Sequence, residues 1–239
     1  MQTGKVKGGK NIYEAAVGIL MLDSQFPRIQ GDAGNAATWP FPVLYKVVAD
    51  ANPDRVVRQN AKGLLEPFLD AARDLVKTGV DGITTNCGFL TLFQAELSAA
   101  AGIPVASSSL MQVPWAGAIL PPDKRVGIVT ISGTTLTPDH LKSAGVPLDT
   151  PIIGTETGQE FTRVILGDEM ALDIDQSRAD IIAAGRALCT QHPDIGALVL
   201  ECTNMVPYAS DVSDALGMPV FDFYSFMIWF QAGLSPRRF

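Results

Sequence analysis

Two cysteines occupy matching positions in a pair of similar segments, and thiols placed in this way could carry out proton transfer. Cys87 directly follows the strand-like run of residues 80–86, and Cys202 directly follows the run 195–201. In each case a helical pattern comes next, and a Gly-hydrophobic-Pro-Val motif begins 15 residues after the cysteine. The repeat indicates an internal duplication with a thiol at a strand end in each half. Helix N-termini and backbone amides at such ends favour thiolates and bind anions.

The remaining ionisable side chains give little support to other chemistries. Cys189 lies in the helical run 183–189 and is expected to be a core residue. The three cysteines form no close C-x-x-C pair, and the chain has only His140 and His192. We therefore expect no metal site, no disulfide framework and a reducing, cytoplasmic setting.

Short apolar runs alternate with stretches of helical periodicity along the chain, which is the pattern of βα units in a parallel sheet. The predicted strands are residues 16–22, 43–48, 81–86, 103–106, 125–131, 151–153, 196–201 and 218–221. The predicted helices are residues 60–78, 90–101, 110–120, 138–144, 157–166, 175–191, 205–216 and 222–232. The fold class is α/β.

A Pro-Pro-Asp-Lys stretch at 121–124 interrupts the chain near its middle and is predicted to link two lobes. The first lobe comprises residues 1–120, completed by the C-terminal helix 222–239, and the second comprises residues 121–221. If the two lobes are related by a pseudo-twofold axis, both thiols face one cleft. Ligands of parallel sheets bind at the carboxyl ends of the strands, so we expect the active site there.

Composition excludes several classes of partner and cofactor. The chain has 239 residues, 47% of them apolar, and a net charge of -7 with no basic stripe, so no nucleic-acid partner is expected. The apolar runs 15–22 and 221–230 are too short to span a bilayer, so no membrane partner is expected. The chain has neither a Walker A loop nor a G-x-G-x-x-G motif after its first strand, and no lysine stands out as a pyridoxal-phosphate anchor. We expect no cofactor.

These residues resemble the aspartate/glutamate racemase superfamily, which includes hydantoin racemases, maleate isomerases and arylmalonate decarboxylases. The resemblance covers nearly the whole chain and is most specific at Cys202-Thr203, which matches the family's second catalytic Cys-Thr. The family is cofactor-independent and usually dimeric, which implies a homodimer. The resemblance implies that Cys87 and Cys202 are catalytic. It also implies a substrate-binding set of Asp23, Ser24, Asn86, Gly88, Ser132, Gly133, Thr134, Thr203 and Asn204.

Some positions depart from the family pattern. Gly88 follows the first cysteine where the amino-acid racemases have Asn-Thr, and Asn204 replaces their usual His or Glu. The strand 126–129 leading to Ser132-Gly133-Thr134 resembles the family's carboxylate-binding loop, and Ile131 stands in it where a Thr is expected. The segment 26–42 is interpreted as either a lid or specificity loop or an ordinary surface loop. Arg28 and Arg125 are the arginines nearest the site elements, which leaves a second substrate carboxylate without an obvious cationic clamp.

The function favoured by the resemblance is racemisation or epimerisation of a small carboxylate compound such as aspartate, glutamate or a relative. Cys87 would act as the thiolate base on one face of the carbon and Cys202 as the thiol acid on the other. Asp23 would orient a thiol or cap a helix. The alternatives are cis-trans isomerisation or decarboxylation of a small diacid on the same scaffold, and a non-catalytic small-molecule-binding protein.

Overall fold

The computed structural model describes residue 5 and residues 7–237, which form two parallel four-stranded sheets. The first sheet contains β1 (Val17–Leu22), β2 (Val43–Val48), β3 (Gly82–Thr85) and β4 (Val105–Ala106) in the order β2-β1-β3-β4. The second contains β5 (Arg125–Thr130), β6 (Ile152–Gly154), β7 (Ile195–Leu200) and β8 (Val220–Phe221) in the order β6-β5-β7-β8. The two orders are equivalent, which confirms the predicted α/β fold and the duplication. All the predicted strands are present.

Helices connect the strands and cover both sheets. The α-helices are α1 (Pro53–Val57), α2 (Leu65–Thr78), α3 (Gln94–Ala101), α4 (Val113–Ala118), α5 (Pro138–Ser143), α6 (Phe161–Gly167), α7 (Ile174–Gln191), α8 (Ala209–Leu216) and α9 (Phe223–Leu234). Short 3-10 helices occupy Ala36–Thr38, Gly88–Phe93, Ser109–Gln112 and Thr203–Tyr208. Three of the predicted helices therefore begin as 3-10 turns, which the hydrophobic spacing did not reveal.

The predicted helix 60–78 is shorter than expected and is preceded by another helix. Asn60 and Ala61 both have a φ of 51°, a left-handed conformation that an α-helix cannot contain. The helix α2 therefore starts only at Leu65. The unpredicted α1 begins at Pro53, with the Asn52 side chain capping its first turn.

The duplication extends to the contacts of two glycines, one in the central strand of each sheet. Gly18 in β1 and Gly127 in β5 both follow a valine and precede an isoleucine. A Cβ atom at Gly18 would lie 2.9 Å from Leu75 Cδ1 on α2, and one at Gly127 would lie 2.9 Å from Leu188 Cδ2 on α7. Each glycine thus lets a long helix pack closely on its sheet.

We expect Gly127→Ala to lower the free energy of unfolding by about 1–3 kcal/mol, because the added methyl overpacks the interface between β5 and α7. Its Cβ would lie 2.7 Å from Ile195 Cδ1. Urea denaturation followed by circular dichroism measures the change. Gly233→Ala in α9, where nothing lies within 4 Å of the new methyl, is the matched control. Equal denaturation midpoints for the two variants would contradict this account of the packing.

The C-terminal helix packs on the first sheet although it follows the last strand of the second. Phe223, Phe226 and Met227 of α9 belong to the same buried cluster as Val17 and Ile19 of β1. The helix is apolar but has only 12 residues. Within the described part of the chain, no helix is both long and apolar enough to cross a bilayer.

Candidate active site

The two strand-end cysteines line one pocket between the lobes. Cys87 follows β3 and precedes the 3-10 helix Gly88–Phe93, and Cys202 follows β7 and precedes the 3-10 helix Thr203–Tyr208. The pocket is narrow, because only about 20 Å³ of it admits the centre of a water-sized sphere, within about 330 Å³ of non-atom space that includes open solvent. Its polar lining consists of Asn86, Cys87, Gly88, Glu201, Cys202 and Asn204. Five of these six residues belong to the predicted site.

The other walls of the pocket are apolar. They are formed by Leu22, Phe26, Pro53, Val57, Phe89, Ile131, Ile165 and Leu166. Among the described residues that line the pocket, none is a lysine, arginine or histidine. The ionisable groups of the lining are the two thiols and the Glu201 carboxyl. The pocket is therefore mainly apolar, and its described lining offers no cation to a second carboxylate.

Both thiols are held in their neutral form in the free protein. Burial, together with the charge of Glu201, raises the pKa of Cys87 to about 12. The same two causes raise the pKa of Cys202 well above the usual thiol value. Backbone N–H groups of Phe89 and Leu90 oppose the rise at Cys87. A thiolate therefore forms here only when the surrounding negative charge is offset.

A chain of hydrogen bonds orients the Cys202 thiol. Cys202 Sγ donates to Asn204 Oδ1 at 3.4 Å, and Asn204 Nδ2 donates to Asp32 Oδ2. Because the amide nitrogen must face the carboxylate, its oxygen faces the thiol. Asp32 is paired with Arg28 at 2.8 Å, and Arg28 also donates to Ser24 Oγ at 2.7 Å. The network fixes Cys202 as a hydrogen-bond donor.

The segment 26–42 is part of this site. Phe26 lies in the pocket wall, and Asp32 is only 2% exposed. Asp168 of the second lobe accepts hydrogen bonds from the backbone N–H groups of Gln25 and Phe26, at 2.6 and 3.0 Å. The segment thus helps to build the pocket, and its role as a specificity loop stays a prediction.

Glu201 was missed in the sequence analysis and lies in the pocket beside both cysteines. Its side chain is fully buried, and Oε2 accepts a hydrogen bond from Thr130 Oγ1 at 2.7 Å. In the described structure, buried Oε1 has no hydrogen-bond partner. Burial raises the pKa of Glu201 to about 7. The available signal was that Glu201 is the only charged residue of the apolar run 195–201.

The predicted carboxylate-binding loop holds a carboxylate of the chain itself. Ser132 Oγ and the backbone N–H of Thr134 each donate to Glu156 Oε1 at 3.1 Å. Gly133 lies against Gly154, since a Cβ atom there would be 2.9 Å from the Gly154 nitrogen. These three loop residues do not line the pocket, and their contact with substrate stays a prediction.

Other predicted residues tie the elements together. Thr203 Oγ1 donates to the Asn86 carbonyl at 2.6 Å and so links the lobes, while Asn86 Oδ1 accepts from the Leu22 N–H at 2.8 Å. Asp23 is exposed, and its Oδ2 accepts from the Asp50 N–H at 3.4 Å. In this arrangement Asp23 contacts neither thiol.

Two further residues named from sequence lie away from the pocket. Arg125 pairs with Asp194 at 2.7 Å at the amino end of β5. Cys189 is half-buried on α7 and packs against the core. Across the described ranges, no three His, Cys, Asp or Glu side chains are grouped as a metal site requires.

The chain is similar in sequence to proteins named dimethylsulfoniopropionate lyase. The protein of that name from Durusdinium sp. clade D is 32% identical over 228 residues, which cover 89% of this chain and 72% of the relative. Dimethylsulfoniopropionate lyase 6 of Emiliania huxleyi (strain CCMP1516) is 30% identical over 226 residues, covering 87% of this chain and 56% of the relative. The chain thus spans little more than half of that second protein. No family model matches the chain.

Solved structures confirm the expected superfamily fold. Arylmalonate decarboxylase matches with a TM-score of 0.60 at 16% identity, over 92% of each chain. A glutamate racemase isoform from Bacillus anthracis matches with a TM-score of 0.60 at 14% identity, over 93% of this chain and 83% of that one. An aspartate racemase homologue from Pyrococcus horikoshii OT3 matches with a TM-score of 0.55 at 15% identity, over 94% of this chain and all of that one. At these identities the likeness shows the fold alone.

Proposed function

This chain belongs to the dimethylsulfoniopropionate lyase family, and from that premise we propose that it is a carbon–sulfur lyase acting on dimethylsulfoniopropionate or a close sulfonium carboxylate. The observation that carries the proposal is the 32% identity to a lyase of this name over 72% of that relative's length. The pocket with its two cysteines supplies groups suited to the chemistry.

The proposed reaction is an elimination. A base removes a proton from the carbon next to the carboxylate, and the electrons of that C–H bond form a carbon–carbon double bond. The bond between the neighbouring carbon and sulfur breaks at the same time or afterwards, and sulfur keeps its electron pair. Dimethyl sulfide leaves as a neutral molecule and acrylate remains. The base passes the proton to solvent before the next turnover.

Cys87 is the proposed base, because two backbone N–H groups favour its thiolate and it is less buried than Cys202. Cys202 is the proposed donor to the substrate carboxylate, on which negative charge builds up as the proton leaves. Its single S–H, which is donated to Asn204 Oδ1 in the free protein, turns to the substrate carboxylate when the substrate binds. Elimination needs no proton delivered to carbon, so the second thiol acts through a hydrogen bond.

The charge of the pocket favours a sulfonium carboxylate over a diacid. Aspartate, glutamate or a malonate would bring two carboxylates to a site that already contains Glu201 and a thiolate, with no lysine, arginine or histidine among its described lining residues. A sulfonium carboxylate carries one positive and one negative charge. Its methyl groups fit the apolar walls, and the ring of Phe89 suits a cation, whereas the Phe26 ring already holds the Arg28 guanidinium 4.4 Å from its centroid.

Racemisation remains the second candidate, because a thiol from each lobe lines the pocket. One experiment separates the two functions. The protein is incubated in D₂O with dimethylsulfoniopropionate, or with L-aspartate and L-glutamate, and followed by proton NMR and headspace gas chromatography. We expect vinyl protons and dimethyl sulfide from the first substrate and unchanged α-protons in the amino acids. If dimethylsulfoniopropionate stays uncleaved while the amino-acid α-protons exchange, the lyase proposal is wrong.

A further inference from the structure

The mechanism above leaves one charged group of the pocket without a role, the carboxyl of Glu201. It projects from the end of β7 in the second lobe against the turn that carries Cys87 in the first. A Cβ atom at Gly88 would lie 2.1 Å from Glu201 Oε1. In the part of the chain that the structure describes, this oxygen is buried and receives no hydrogen bond.

We propose that Glu201 is the subsite for the cationic group of the substrate, and that it selects onium carboxylates over carboxylates with a neutral tail. This inference rests on the proposed lyase function. A sulfonium ion has no N–H or O–H to donate, so its best counter-charge is a carboxylate whose free oxygen no donor occupies. Burial strengthens the attraction between the two charges because little water screens them.

No neighbouring cation takes this role. Arg28, whose charge acts on Cys87, is paired with Asp32, donates to Ser24 and lies over the Phe26 ring. Leaving a buried carboxylate without a positive partner is costly, which is why burial raises the pKa of Glu201 to about 7. A bound onium group supplies the missing positive charge and favours the ionised carboxyl.

The same placement couples binding of the cation to formation of the thiolate. The charge of Glu201 raises the pKa of both Cys87 and Cys202. An onium group beside Glu201 cancels that charge, so the pKa of the thiols falls when the substrate binds. A ligand with a neutral tail leaves the repulsion in place. Glu201 thus acts as a positioning residue that ties activation of the base to the right substrate.

The test compares three ligands that share a carboxylate. Dimethylsulfoniopropionate and 3-(trimethylammonio)propionate carry a positive tail, whereas 4-methylpentanoate is a neutral isostere of the first. KM and kcat are measured for dimethylsulfoniopropionate, and dissociation constants of the other two ligands are measured by calorimetry. Each measurement is made on wild type, Glu201→Gln and the exposed control Glu96→Gln. We expect Glu201→Gln to raise the KM for dimethylsulfoniopropionate and the dissociation constant of 3-(trimethylammonio)propionate by roughly 10-fold or more. Binding of 4-methylpentanoate should change by less than about 3-fold.

If the role of Glu201 is purely structural, Glu201→Gln should weaken the binding of all three ligands equally. That result would overturn the proposal. Glu201→Asp, which keeps the charge, should recover part of the preference for onium ligands. Thermal unfolding at several pH values checks the charge state. Burial raises the pKa of Glu201 from 4.5 to about 7, so the folded protein holds a proton that the unfolded chain releases, and stability falls as the pH rises through this range. Glu201→Gln should lack that loss.

Wild type alone provides a second test. Binding of 3-(trimethylammonio)propionate should tighten as the pH rises through about 7, where Glu201 ionises, while binding of 4-methylpentanoate should not. The titratable and charged groups around Glu201 are Cys87, Cys202, Asp32, Arg28 and, beyond Phe89, His140. The pKa of both thiols is too high, and that of His140, lowered to about 4 by burial, too low to mimic this profile.

These binding measurements separate the two proposals. If wild type binds the onium ligands through Glu201 but does not cleave dimethylsulfoniopropionate, the lyase proposal fails and the subsite stands. If wild type cleaves the compound while Glu201→Gln keeps its KM, the subsite fails and the lyase function stands.

Discussion

Replacing Cys87 by serine should lower kcat for elimination by roughly 10²–10⁴-fold, the usual contribution of a positioned general base. A serine hydroxyl has a far higher pKa than a thiol, so it cannot take the α-proton at neutral pH. Cys202→Ala should lower kcat by roughly 10²–10³-fold, because a donor to the developing negative charge is lost, whereas Cys202→Ser keeps a hydroxyl donor and should retain most of the activity. Both losses should be in kcat rather than KM if the interactions strengthen in the transition state.

Cys189→Ser is the matched control, since Cys189 lies half-buried on α7 outside the pocket. It should keep wild-type activity. Initial rates of dimethyl sulfide release from each purified variant provide the measurement, with circular dichroism to check the fold. A Cys87→Ser enzyme that remains within a few-fold of wild type, beside an inactive Cys202→Ser enzyme, would show that the base is Cys202 and reverse the assigned roles.

The strands were predictable because burial between helices demands apolar side chains on both faces of a parallel sheet. Residues 195–200 show this directly, since they are uninterrupted by a polar side chain and form β7. Helix starts were less predictable. The 3-10 helix Gly88–Phe93 and the left-handed pair Asn60 and Ala61 depend on local backbone geometry that hydrophobic spacing does not encode.

Some residues of the site were likewise predictable from the sequence, and others were not. The two cysteines were visible from the repeat alone, because duplication places equivalent residues at equivalent strand ends. The hydrogen-bond partners of Asn204 and of the loop 132–134 were not visible in the sequence. Asp32 and Glu156 reach these residues only through the folding of separate loops. Glu201 is intermediate in this respect. The sequence shows it as a lone charge in an apolar run, but only the structure reveals its close approach to Gly88.

The sequence motifs also do not distinguish racemisation from elimination. Both begin with loss of a proton next to a carboxylate, so a pair of thiols serves either reaction. What separates them is the group on the neighbouring carbon, and we propose that the pocket discriminates such groups through charge. With Glu201 and two thiols as the ionisable groups of the described lining, the proposed site favours a substrate with a cationic substituent and opposes one with a second carboxylate.

Gly88→Ala should cause a large loss of both stability and activity, because the new methyl has no room between the lobes. Its Cβ would lie 2.1 Å from Glu201 Oε1, 2.8 Å from Ser108 Oγ and 2.9 Å from the Glu201 carbonyl oxygen. The first two atoms can shift, but the third is backbone. Relief requires the turn after Cys87 to move away from β7, which displaces the thiol relative to the bound substrate.

We expect kcat/KM for elimination to fall by roughly 10²-fold, the usual result of moving a reacting group by about 1 Å. The free energy of unfolding should fall by about 1–3 kcal/mol, as for other overpacked interiors. Gly117→Ala in α4 is the control, because its methyl would lie 3.9 Å from Val126 Cγ2 and meet nothing closer. Urea denaturation and initial rates give both quantities.

A double-mutant cycle with Glu201→Ala identifies the source of the strain. Removing the Glu201 side chain removes the clash between its carboxylate and the new methyl and leaves the approach of that methyl to the Glu201 carbonyl oxygen at 2.9 Å. The combined variant should therefore be less destabilised than the sum of the two single changes, by about 0.5–3 kcal/mol if the side chains are directly coupled. Strict additivity would mean that the methyl is accommodated without touching Glu201, and that the Cys87 turn is looser than its close approach to β7 implies.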